Sequence, residues 1–126
     1  MHMTTKLAEE VARATATGRR RAKAFSGLGG AEQLPWAVIE AFDADVRGHV
    51  ERDRRIEEER DRVLVAAVGL AETRPEDGAE ALAAARTRLT DAIDYLEQAV
   101  LRFGIVNAQA AKRGLGDHGQ RVAAHI

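Results

Sequence analysis

Cysteine is absent from the chain. Without a thiolate there is no disulfide scaffold, no Cys-ligated metal and no sulfur nucleophile. Serine occurs once, as Ser26, in a glycine-rich stretch with no histidine near it in sequence, so a serine triad has no support. Aromatics are equally scarce: Phe25, Trp36, Phe42, Tyr95 and Phe103 are the whole set. No alternating run of β-branched and aromatic residues appears, which excludes a sheet protein. The longest apolar run covers residues 63–71, well short of the roughly 18 residues of a membrane-spanning helix. The first residues lack the apolar core of a secretory signal, so the expectation is a cytoplasmic protein with no membrane partner.

What is present is alanine and charge. Of 126 residues, 25 are Ala and 31% are Asp, Glu, Lys or Arg, with a net charge of −1. That composition suits long helices packed closely along narrow seams. The near-zero net charge and the periodic apolar residues exclude a disordered chain. The length allows a single domain, 1–126.

Three helices and a tail are expected, over about 4–25, 35–72, 76–113 and 114–126. In the first, Leu7, Val11, Ala14, Gly18, Arg21 and Phe25 recur at steps of four and three, which is one face of a helix. The glycine-rich residues 26–30 end it. Pro35 suits the first turn of the second helix. Thr73 and Glu76 have capping-box spacing at the start of the third, and Gly114 stops it.

The second and third helices share a register. Phe42, His49, Ile56, Val63 and Leu70 recur every seven residues; Leu82, Leu89, Leu96 and Phe103 do the same. Folded at residues 73–78, Leu70 faces Leu82, Val63 faces Leu89, Ile56 faces Leu96, His49 faces Phe103 and Phe42 faces Ala110. Gly48 then falls opposite Gly104, allowing close backbone approach. The expected fold is all-α: a long antiparallel helical hairpin with arms of roughly 50 Å at 1.5 Å per residue, plus a shorter N-terminal helix. That helix is too short to cover both arms. Open apolar seam is usually covered by another subunit, so the bundle is expected to be completed by oligomerisation, with a second copy or another protein as partner.

Charge is arranged in blocks. Eleven of the twelve residues 51–62 are charged, and Glu51 with Arg55 and Glu58 with Arg62 have the favourable i,i+4 order. This stretch is expected to be a solvated face that sets partner and register. Residues 1–29 carry six basic and two acidic side chains, concentrated in Arg19, Arg20, Arg21 and Lys23. Such a cluster can bind phosphate. No aromatic is interleaved to stack bases, so nucleic acid is not the favoured partner.

Asp45, His49 and Asp53 would line one face of a continuous second helix, a weak candidate metal site. The spacing lacks the Glu-x-x-His pairs of helical di-iron sites. Arg60, Arg86, Asp53 and Asn107 occupy or border the seam as polar residues that fix register. His118 lies in a glycine-rich tail with no Gly-Lys-Ser/Thr phosphate loop, and no cofactor is expected. The leading expectation for function is a non-enzymatic helical assembly or adaptor protein acting through helix faces. The alternative is a nucleic-acid-associated protein using residues 19–23. A third is a small metal protein or enzyme centred on His49 or His118.

Overall fold

A computed structural model describes residues 2–107, with side chains from residue 6 onward. Among the described residues the fold is all-helical, with four α-helices: α1 (His2–Ala24), α2 (Leu34–Asp45), α3 (Arg54–Glu72) and α4 (Ala79–Phe103). The residues of the expected tail, His118 and the Phe42–Ala110 pair's second member lie outside the described residues.

α1 buries Leu7, Val11, Ala14 and Ala22 along one face, with Thr15 and Gly18 beside them, and Phe25 just past its end is buried too. Thr15 satisfies its buried hydroxyl by donating to the Val11 carbonyl at 2.9 Å. Pro35 stands in the first turn of α2, where its missing N–H costs nothing.

The expected second helix, 35–72, is two helices. α2 ends at Asp45, residues Arg47–His49 form a 3-10 turn, and Val50 is extended. Three local preferences favour the break: Gly48 and the β-branched Val46 and Val50 are poor helix interior residues, and Asp53 is better as an N-cap. The Asp53 carboxylate accepts the Arg55 backbone N–H at 2.8 Å and so caps α3. The tertiary gain is larger. Once broken, α2 turns back to pack on α1 and α3, and Val38, Ile39 and Phe42 become buried within the same chain.

The turn between α3 and α4 differs in detail from the expected capping box. Thr73 donates its hydroxyl to the Gly69 carbonyl at 2.9 Å, closing α3. Asp77 accepts the Arg74 backbone N–H at 3.0 Å, so the cap sits one residue later than Thr73 and Glu76. Gly78 then takes φ 99° and ψ 158°, a conformation that essentially only glycine enters.

α4 ends at Phe103, not at residue 113. Gly104 leaves the helix in an extended conformation, and Val106 pairs with Val50 in an isolated antiparallel bridge. Two backbone bonds make that clasp: Glu51 N–H to the Ile105 carbonyl and Asn107 N–H to the His49 carbonyl, each 2.8 Å. Gly48 and Gly104 do not meet. A Cβ on Gly48 would meet nothing within 4 Å, and one on Gly104 would strike the Val100 carbonyl of α4 itself at 2.5 Å.

The most extensive helix contacts are α3 with α4 and α1 with α2, with α1 crossing onto α4. One core results. Phe42, Ile56, Val63, Leu70, Leu89 and Leu96 of the seam are buried in it, while Leu82 and Phe103 are half-buried. Because α2 and α1 cover this core from within the chain, the expected reason for oligomerisation, an uncovered seam, does not hold.

Candidate functional site

The face that stays open lies on the other side of α3 and α4. Residues 63–71 are apolar on every side of the helix, more than one seam needs. Val63, Ala67 and Leu70 turn inward. Val65 and Val68 are left outside, 72% and 44% exposed. On α4, Ala85, Leu89, Ile93 and Leu96 face the core, and Tyr95 is 64% exposed. Val65, Ala66 and Gly69 of α3 meet Ala92 and Tyr95 of α4 in a groove of about 530 Å³. Charged side chains rim it: Glu59 and Arg62 from α3, Arg88 and Asp91 from α4. Arg62 is already engaged with Glu59 at 3.1 Å, whereas Arg88 and Asp91 have no ion-pair partner among the described residues.

Neither Val65 nor Tyr95 stands out from sequence periodicity, because both fall off the heptad seam. The surplus of apolar residues in 63–71 is the signal that finds Val65; no comparable signal marks Tyr95. Leu28, Trp36, Leu101 and Ile105 are also exposed. Val65 and Tyr95 differ in sharing one concave surface, and concavity is what binding requires.

The other candidate residues are largely engaged inside the chain. Of the basic cluster, Arg19 donates to Asp94 of α4 at 3.0 and 2.8 Å and to Glu97. Burial works against the Arg19 charge, but the hydrogen bonds to Glu97 and Asp94 outweigh it and its pKa is raised. Arg21 donates to Glu40 at 2.7 Å and to the Ala37 carbonyl at 2.5 Å, tying α1 to α2. Arg20 bonds Thr17 of its own helix at 3.0 Å, and Lys23 is exposed. Two of the four cations are therefore neutralised by the fold, which leaves a sparse phosphate-facing patch.

The charged stretch 51–62 is largely exposed, as expected of a solvated face, but Glu57 and Arg60 are half-buried and tie α3 to its neighbours. Arg60, with a side chain only 12% exposed, grips Asp43 of α2 through two bonds of 2.8 and 2.6 Å. Arg47 of the 3-10 turn holds Glu57 at 2.7 and 3.2 Å, and this hydrogen bonding lowers the Glu57 pKa. Arg55 folds back on Asp53 and also lies over the Phe103 ring, 3.7 Å from its centroid. The expected pairs Glu51–Arg55 and Glu58–Arg62 are replaced by Arg54–Glu58 and Arg62–Glu59.

Of the metal candidates, Asp45 and His49 line one cavity and Asp53 does not. Asp45 ends α2, His49 sits in the turn and Asp53 caps α3, so no single helix face carries all three. Among the described residues no group of three or more His, Cys, Asp or Glu is placed to hold a metal ion. His49 is exposed, not seated against Phe103, and lines a polar cavity of about 240 Å³ with Glu10, Arg13 and Asp45. Of the polar seam residues, Arg86 of α4 donates to the Ala22 and Phe25 carbonyls at 3.2 and 2.5 Å, closing the C-terminal end of α1. Among the described residues no helix is long and apolar enough to cross a membrane.

No family model, curated protein or solved structure matches the chain.

Proposed function

We propose that the protein is a non-enzymatic helical assembly module whose working surface is the groove between α3 and α4. The observation that carries this reading is the shared exposure of Val65 and Tyr95 in one concave surface, beside a core that the chain covers elsewhere for itself. Ala66, Gly69 and Ala92 have small or no side chains, so the ridge of an incoming helix can seat between the two axes. Covering Val65 alone would contribute about 1.5–3 kcal/mol. Tyr95 offers a large rigid ring with a polar tip, the type of side chain that anchors interfaces. The internal ion pairs of residues 43–62 and of Arg19 and Arg21 hold the scaffold that presents this face. The activity is then binding.

A photo-crosslinking phenylalanine analogue at Tyr95, introduced in the producing cell, tests the reading. Irradiation should join the chain covalently to a polypeptide, its own or another. The same analogue at Arg20, exposed on α1, should give little product. Equal yields at the two positions, or no adduct at Tyr95, would refute the groove as the working surface.

A further inference from the structure

The groove reading leaves its occupant open, and the outer stripe of α4 narrows the choice. Ala84, Arg88, Asp91 and Tyr95 are all exposed. They follow one another at steps of four, three and four, so they form a single stripe along the helix. Read from one end the stripe is small, cation, anion, large. Read from the other it is large, anion, cation, small. An antiparallel copy of α4, related by a two-fold axis between residues 89 and 90, would set Arg88 opposite Asp91 twice. The same operation sets Ala84 opposite Tyr95 twice. Each ring then covers the space left by an alanine, and each charge meets its opposite.

Resting on the proposed docking role of this groove, we infer that its occupant is a second copy of this chain, docked about that two-fold axis. Three features support the assignment. Arg88 and Asp91 lie on the groove rim with no ion-pair partner among the described residues. A closed two-fold contact uses the same patch on both copies, so self-complementarity is what it demands. A parallel arrangement of the two stripes would place Arg88 against Arg88 and Asp91 against Asp91, which is repulsive.

Crossed charge reversal is a direct test. In Arg88→Asp both stripe positions become acidic; in Asp91→Arg both become basic. Sedimentation of wild-type protein should show a reversible dimer. Each variant alone should associate at least about tenfold more weakly, since both of its crossed contacts are now repulsive. Mixed in equal amounts, the two variants should pair with each other, because an acidic stripe then meets a basic one and both crossed contacts join opposite charges. Circular dichroism checks that each variant is folded; Arg88→Glu and Asp91→Lys serve as a second pair of the same design. Three results would overturn the inference: a monomeric wild-type chain, single variants that dimerise like wild type, or a mixture that associates no better than its components. A Tyr95 crosslink to a different polypeptide, together with a monomeric chain, would overturn the two-fold dimer and leave the docking role standing.

Discussion

Two helical glycines offer a matched experiment on how closely α1 lies against α2. A Cβ added at Gly18 would stand 2.9 Å from the Val38 carbonyl oxygen and 3.5 Å from the Ile93 Cδ1. A Cβ added at Gly69 would meet nothing within 4 Å. Replacing glycine by alanine inside a helix stabilises by roughly 0.5–1 kcal/mol, because the unfolded chain loses freedom. That gain applies to both sites. At Gly18 it is opposed by overlap with main chain, which cannot rotate away as a side-chain tip can. To restore an ordinary contact of ~3.5 Å, α1 must withdraw from α2 by about 0.6 Å. A gap of that size forfeits a quarter or more of the dispersion attraction along the interface, and overpacking of this kind costs about 1–3 kcal/mol. Gly69→Ala should therefore melt roughly 2–4 °C above wild type, and Gly18→Ala below Gly69→Ala by about 1–3 kcal/mol, or roughly 4–12 °C. Thermal denaturation of dilute protein, followed by far-ultraviolet circular dichroism, gives both numbers. The difference between the two variants isolates the overlap, since the propensity gain cancels. Equal shifts at the two sites would show that the helices do not approach at Gly18.

Two further outcomes follow from the half-buried Arg86 guanidinium and the paired carboxylates. Arg86→Met removes both donors from the α1 carbonyls and should destabilise by about 1.5–3 kcal/mol in urea, with hydrogen exchange rising first at the end of α1; Arg86→Lys should recover only part of this, lacking the fork. Hydrogen bonds from Arg55 hold the Asp53 carboxyl at about 2, below its ordinary value, and Arg47 lowers Glu57 in the same sense. A folded-state pKa below the unfolded one adds stability above the unfolded value, which is lost as pH falls through the folded one. The melting temperature should hold from about pH 7 to about 5 and fall between about pH 4 and 2, and Asp53→Asn should shrink that fall; an unchanged acid profile in Asp53→Asn would show that the cap and its arginine contribute nothing.

Much of the helical content was legible because apolar spacing is imposed by burial. The α1 stripe from Leu7 to Phe25, and the inward positions Ile56, Val63, Leu70, Leu89 and Leu96, are periodic for that reason. The break at residues 46–53 was hidden by the same periodicity. Phe42, His49 and Ile56 continue a seven-residue recurrence across it, although His49 is exposed and the helix is interrupted there. The signals for the break were local and present: Gly48 near a helix end, and Asp53 just before an apolar-periodic segment. Similarly, Gly104 reads as a packing glycine by register and as a helix stop by position, and the second is what the structure uses. The groove was harder to read. It lies off the seam, and sequence periodicity identifies what a chain buries in itself, not the surface it leaves for others. The partners of the charged residues were also out of reach, because Arg60–Asp43 and Arg19–Asp94 join residues that only the tertiary fold brings together.

The clasp between Val50 and Val106 has a mechanical meaning. It joins the entrance of α3 to the exit of α4, so the hairpin between them is bypassed by two backbone hydrogen bonds. Tension applied between α2 and Asn107 would run across that bridge before it reached the helices. A chain tethered at those points could be tugged without its α3/α4 surface being peeled open. The load would fall on two backbone bonds acting together, and the α3/α4 face would stay slack until they broke.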